Sequence, residues 1–205
     1  MSNGTPDRRK LVLIGASAGG IGALQSLLGA LPVEFPAIIG VTLHRSPRQE
    51  SRLAQVLQRC TRLPIVEPSG PVRVEPGVVY LAPRDQHLLV RGEHVEPIRG
   101  PKENFTRPAV DPLFRSGAAS HGDRVIGVVL SGWGADGVAG LIAIKRASGV
   151  AMVQHPDEAP ARGMPVNALV RDHVDWVLPV SEMPPVLIRL AHGQSVDRDP
   201  TRRPP

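Results

Sequence analysis

Between residues 11 and 192, short apolar runs alternate with stretches whose apolar residues recur on one helical face, and this alternation limits the fold more than any other feature. Residues 11–14 form the first run. Residues 21–31 then carry apolar side chains at positions 21, 24, 27, 28 and 31, the spacing of one face of a helix. Residues 37–43 are a second buried-strand candidate, followed by an amphipathic stretch over 49–59. The pattern returns with a helix over 111–121, opened by an Asp111 cap and Pro112, and a strand over 125–130. It continues with a helix over 138–148, a strand over 151–154, a short helix over 166–171, a strand over 175–180 and a helix over 181–192. Strand–helix alternation at both ends predicts an α/β fold, a three-layer αβα arrangement with a mainly parallel, doubly wound sheet. The middle differs: residues 64–67, 78–82, 87–91 and 94–98 are short, β-rich and broken by Gly and Pro. These predict an inserted antiparallel hairpin region. Residues 10–193 are expected to form one domain, with 1–9 and 194–205 as disordered tails.

Composition narrows the function classes. Apolar residues make up 41% but aromatics only 3%, so the core must rest on Val, Leu, Ile and Ala. The net charge of +5 is small and sits partly in the tails, and the few aromatics are scattered. A nucleic-acid partner is therefore not expected. The single cysteine, Cys60, excludes an internal disulfide framework and a multi-cysteine zinc site. No histidine pair has the i, i+4 spacing of a helical zinc site, and no metal or cofactor is expected. The chain contains no apolar run of the roughly 18 residues that a membrane span requires. With no signal-peptide core at the N-terminus, a cytoplasmic protein without membrane insertion is expected.

In a parallel sheet, ligands bind beyond the carboxyl ends of the strands. Three loops leave that edge: Gly15-Ala16-Ser17-Ala18-Gly19-Gly20, Leu43-His44-Arg45, and Ser131-Gly132-Trp133-Gly134-Ala135-Asp136-Gly137. Ser17 has the G-x-S-x-G spacing of a nucleophile on a tight strand-to-helix turn; the competing reading is a Gly-rich turn with Ser17 as a helix cap. His44 competes with a structural histidine, and Asp136 with an ordinary Asp-Gly turn residue. Convergence on one edge favours chemistry, because a nucleophilic serine needs a base and the base needs an orienting carboxylate. The remaining histidines lie at turns or helix ends and read as surface or structural. A dinucleotide reading of residues 15–22 fails on its chemistry. Tyr80 is the only tyrosine and is followed four residues on by Arg84, not Lys, and the second strand ends in His44-Arg45 rather than an acid for the ribose.

The motifs resemble those of the catalytic domain of the bacterial chemotaxis protein-glutamate methylesterases, the CheB family, over residues 10–192. That family's G-A-S-T-G-G opening corresponds to Gly15–Gly20, with Ala18 in place of Thr, and its strand-end histidine to His44. Its T-G-M-G-x-D-G loop corresponds to residues 131–137, with Trp133 in place of Met. Val78 to Pro83 with Asp85 and His87, Arg107 to Asp111, and Gly163-Met164-Pro165 match three further segments. The resemblance implies Ser17 as nucleophile, His44 as base, Asp136 as orienting acid, and backbone N–H groups at Ala18 and Trp133 as oxyanion donors. It implies hydrolysis of glutamate methyl esters on the cytoplasmic helices of methyl-accepting chemoreceptors, with deamidation of receptor glutamines as a second activity.

The departures carry their own expectations. Trp133 is expected to narrow the pocket. Arg45, if close to His44, is expected to favour the neutral imidazole. Arg45, Arg48 and Arg107 are candidates for docking the Glu- and Gln-rich substrate helices, Arg107 as a substrate-binding residue. The receiver domain that family members carry ahead of the catalytic part has no counterpart before residue 10. Control is therefore expected from a separate regulatory protein, if the activity is not constitutive. The alternative reading is a stand-alone binding or scaffold module of a chemosensory-like pathway with weak or no esterase activity; a third is a general carboxylesterase for small esters.

Overall fold

The computed structural model describes residues 9–48, 51–170 and 174–196. Most of both expected tails, residues 1–8 and 197–205, lies outside the described residues. In chain order the elements are β1 (Leu11–Ala16), α1 (Gly20–Gly29), β2 (Ile38–Leu43), α2 (Leu53–Gln58), β3 (Ile65–Val66), β4 (Val72–Arg73), β5 (Val79–Leu81), β6 (His87–Arg91) and β7 (His94–Ile98). They continue with α3 (Val110–His121), β8 (Val125–Val129), α4 (Val138–Arg146), β9 (Val150–Gln154), α5 (Gly163–Leu169), β10 (Trp176–Leu178) and α6 (Met183–Ala191).

Seven strands form one parallel sheet in the order β10-β9-β8-β1-β2-β5-β3. Side chains of β1 alternate between two apolar layers, as the two-residue period of a strand requires. Val12, Ile14 and Ala16 pack with Leu24, Leu27 and Leu28 of α1, Leu53 and Leu57 of α2, and Met183 and Leu187 of α6. Leu11 and Leu13 pack on the opposite face with Leu113 and Phe114 of α3, Leu141 and Ile144 of α4, and Met164 and Ala168 of α5. Both faces are covered, so the strands read as continuous apolar runs rather than alternating ones. The αβα architecture expected from the sequence is the one observed.

The middle region departs from expectation. Residues 64–67 and 78–82 do not form hairpins: β5 pairs in parallel with β2, and β3 with β5, extending the main sheet. Strands of two or three residues have too little length to reveal a pairing direction through their pattern. The antiparallel part is a separate three-stranded sheet, β4-β7-β6, whose Leu88, Val90 and Val95 join the apolar layer around α3. Helix α3 also begins two residues early, with Ala109 rather than Asp111 at the cap position and Asp111 inside the first turn. Helix α5 opens at Gly163, with Pro165 in its first turn, where a missing N–H breaks no helical bond.

Strand order reverses at the centre: the chain runs outward from β1 through β2, then returns to add β8, β9 and β10 on the other side. The carboxyl ends of β1, β2 and β8 therefore surround the switch point, where open α/β sheets bind ligands. Ser17, His44 and Asp136 follow those three strands.

Candidate active site

Backbone hydrogen bonds bind the three loops together. Ser17 N–H donates to Ser131 O (2.9 Å), and His44 N–H donates to Ala16 O (3.0 Å). The buried Ser131 hydroxyl donates to Ala18 O (2.7 Å) and accepts from Ala161 N–H (3.0 Å). Ser131 N–H in turn donates to the buried Gln154 side chain (2.7 Å). The turn after Ser17 passes through Gly19 at φ 74°, a left-handed conformation that a side chain disfavours. Gly19, not Ser17, occupies the cap position of α1, and no side chain caps that helix. The Ser17 hydroxyl is thus not engaged as the helix cap.

Gly132 lets the second loop reach the serine. A Cβ there would lie 2.7 Å from Ser17 Cβ and would also overlap the Met164 side chain. Gly132→Ala should therefore displace Ser17, costing about 1–3 kcal/mol of stability and lowering turnover about 100-fold. Denaturant titration together with steady-state kinetics checks both numbers.

Asp136 is 2% exposed and accepts four hydrogen bonds. Its Oδ2 accepts from His44 Nε2 (2.6 Å) and Val110 N–H (2.7 Å). Its Oδ1 accepts from Asp111 N–H (3.0 Å) and Asn104 Nδ2 (2.9 Å). The carboxylate thus sits on the open N-terminus of α3, where unpaired N–H groups and the helix dipole favour an anion. Burial pushes its carboxyl up, but the His44 bond and the N–H groups of Val110 and Asp111 outweigh that and hold it below the usual carboxylate value.

Asp111 completes an exchange between helices. Its Oδ1 accepts from Gly137 N–H (3.0 Å) and Gly140 N–H (2.7 Å) at the start of α4. It caps the next helix rather than its own, which corrects the sequence expectation. Burial raises its carboxyl and the neighbouring Asp136 adds to the rise, with the Gly140 N–H and the Asn104 amide opposing.

His44, its side chain 16% exposed, lines a cleft of roughly 360 Å³ with Ser17, Ala18, Gly19, Ile21, Gly22 and Leu43. Serine and imidazole share this cleft, and the carboxylate lies at the imidazole's Nε2. Trp133 is not among the cleft walls and stands 66% exposed, so its indole does not narrow the cleft, contrary to the expectation.

The arginines are placed differently from expectation. Arg45 donates to Glu67 Oε1 (2.8 Å), Ser51 Oγ and the Ala82 carbonyl, and its side chain is 8% exposed. Its charge is neutralised by Glu67, so it is neither a docking cation nor a free positive charge beside the base. Arg107 donates to Asp85 Oδ1 (2.9 Å) and Gly100 O (2.6 Å), which makes it a brace between the β5–β6 turn and the segment leading to α3. That engagement counts against Arg107 as a substrate-binding residue. Arg48 is exposed. His87 is structural: Nδ1 accepts from Ala109 N–H (3.1 Å), so Nε2 donates to Pro101 O (2.8 Å). Sequence reasoning missed Asn104 and the role of Asp111; the only local hint was an aspartate at the start of a helix. Among the described residues, no group of three or more His, Cys, Asp or Glu side chains is placed to hold a metal ion.

These features define a three-layer αβα protein with a serine on a Gly-rich strand-to-helix turn and a buried Asp–His pair at the switch point of its sheet. A family model described as CheB methylesterase matches residues 12–187. A protein of Leptospira interrogans is 34% identical over 180 residues, spanning 87% of this chain and 93% of that protein. The protein-glutamate methylesterase/protein-glutamine glutaminase 1 of Geobacter metallireducens is 37% identical over 179 residues, 85% of this chain and 49% of its own length. This chain thus spans about half of that longer relative. The Thermotoga maritima CheB methylesterase catalytic domain superposes with a TM-score of 0.84 at 33% identity, covering 89% of this chain and 98% of that one. The chain belongs to the CheB methylesterase family.

Proposed function

We propose that this protein hydrolyses the γ-methyl esters of glutamate residues on chemoreceptor cytoplasmic helices, and deamidates receptor glutamines by the same carbonyl chemistry. The observation that carries this reading is the 2.6 Å His44–Asp136 hydrogen bond at the wall of a cleft that His44 shares with Ser17. Family membership and the names of the relatives support the substrate class.

In this mechanism Ser17 Oγ attacks the ester carbonyl carbon while His44 takes its proton. Asp136 accepts the Nε2–H, which leaves Nδ1 as the basic nitrogen, the reverse of the assignment in chymotrypsin-like enzymes. The tetrahedral intermediate collapses as His44 returns the proton to the departing methoxide, releasing methanol and leaving a glutamyl ester on Ser17. Water, deprotonated by His44, then cleaves that ester and restores the hydroxyl. Ser17 N–H and Gly132 N–H already donate to Ser131 O and Ala161 O. The oxyanion donors of this proposal are the N–H group of Ala18, which lines the cleft, and that of Trp133, which the family resemblance implies, each worth about 2.7–4 kcal/mol in comparable sites.

Ile21, 45% exposed on the cleft wall, offers apolar contact to a docked helix, and Arg48 a cation for its acidic face. A separate regulatory protein would act most directly by covering this cleft. Among the described residues no helix is long and apolar enough to cross a membrane.

The test is methanol release from a methylated receptor fragment, run beside a small chromogenic ester. The reading expects turnover of the fragment at a kcat/KM well above that of the small ester. No methanol from any methylated receptor contradicts it and returns weight to the scaffold reading; preference for the small ester favours a general carboxylesterase.

A further inference from the structure

Two buried carboxylates, Asp111 and Asp136, meet beside His44, and a single side chain joins them. Asn104 Nδ2 lies 2.9 Å from Asp111 Oδ2 and 2.9 Å from Asp136 Oδ1, so its two amide hydrogens serve two different acids. Like charges this close in a water-poor site favour uptake of a shared proton unless donors hold both ionised. An amide supplies those donors without adding charge.

The segment carrying Asn104 is built for this delivery. Glu103 N–H donates to Thr106 O (3.1 Å) and Thr106 N–H to Glu103 O (2.9 Å), which closes a tight turn. Arg115 of α3 grips both oxygens of Glu103 at 2.8 Å. Asn104 itself adopts φ 49°, a left-handed conformation that asparagine tolerates better than most residues. The charged and titratable groups facing the pair are His44 from the end of β2 and Arg115 from α3, with Glu103 paired to Arg115. From α4 the pair receives backbone N–H groups at Gly137 and Gly140.

We propose that Asn104 is a positioning residue of the active site, donating one amide hydrogen to Asp111 and the other to Asp136, so that the carboxylate beneath His44 keeps its orientation and its charge. This rests on the assignment of His44 and Asp136 to the proton relay proposed above. Asn104 touches no reacting atom; it acts through Asp136.

Two variants test it in the full chain. Asn104→Gly accepts the left-handed backbone and removes the amide. Asn104→Asp keeps the shape and replaces the donors with a third carboxylate. Turnover of a methylated receptor fragment should fall about 10–100-fold in Asn104→Gly, with KM within about twofold, and further in Asn104→Asp at neutral pH. Carboxyl carbon NMR titration of Asp111 and Asp136 should show the pair taking up its proton at higher pH in both variants than in the wild type. A wild-type kcat and an unchanged carboxyl titration in Asn104→Gly would overturn the proposal, as would a lowered melting temperature with the titration unmoved. The NMR readout is independent of turnover, so a wild-type protein that releases no methanol defeats the proposed reaction and still leaves Asn104 decided.

Discussion

Ser17→Ala is expected to lower kcat for methanol release from a methylated receptor fragment by about 10⁴–10⁶, with little change in KM or in melting temperature. The large loss follows because the hydroxyl supplies the bond-forming atom. The small structural effect follows because the turn is held by groups that alanine keeps: Ser17 N–H to Ser131 O, Gly20 N–H to Ser17 O, and Gly19 at its positive φ. The Ser17 hydroxyl caps no helix, so its removal leaves no orphaned N–H at the start of α1. Residual turnover should reflect the oxyanion donors and binding alone. Steady-state kinetics beside a thermal melt checks the claim; a variant that keeps wild-type rates removes Ser17 from the chemistry.

Asp136→Asn should affect activity and stability together, and the pH dependence separates the causes. An amide cannot match four inward-pointing donors. Wherever its NH₂ sits, it opposes His44 Nε2–H and Val110 N–H on one side or Asp111 N–H and Asn104 on the other. The imidazole then loses its fixed tautomer, for which a drop in kcat of about 10⁴ is the precedent among serine hydrolases. The start of α3 also loses an anionic partner, at a cost of about 1–3 kcal/mol, partly offset because Asp111 no longer faces a like charge.

The sign of the pH effect follows from the carboxyl held below its usual value. Such a group contributes stability that is fully present above the unfolded value of about 3.9 and is lost as pH falls through the lower folded value. Asp111, raised in the fold, has the opposite sign: ionising it costs stability as pH climbs through its folded value. Denaturant titrations from neutral pH into the acid range should therefore show the wild type losing more stability than Asp136→Asn below about pH 3.9. Equal losses would mean that Asp136 is not the ionised cap described here.

Much of this site was legible because its residues sit where strands end. An apolar run followed by a Gly-rich turn identifies a strand's carboxyl edge, and parallel pairing brings such edges together; Ser17, His44 and Asp136 could be grouped before any coordinates. Their partners could not. Glu67 lies 22 residues beyond Arg45, and Asp85 lies 22 residues before Arg107. In sequence those arginines look like solvent-facing cations suited to an acidic helix. In the fold each is paired with a distant carboxylate, which counts against a docking role. Asp111 carried a helix-start signal and does occupy a helix start, yet its side chain serves the neighbouring helix, because α3 and α4 present their N-termini side by side. Nothing local marks Asn104, whose importance comes from two acids that approach only once β8 is laid beside β1. The parallel pairing of β3 and β5 was hidden for a simpler reason: runs of two or three residues are too short to display a pairing direction.

Mass spectrometric mapping after reaction with a serine-directed fluorophosphonate tests the central claim most directly. The account predicts a single adduct on the peptide containing Ser17, formed at a rate that collapses in His44→Ala and Asp136→Asn, with methanol release lost in proportion to labelling. An adduct on a different serine, or methanol release that continues after Ser17 is fully labelled, would contradict it.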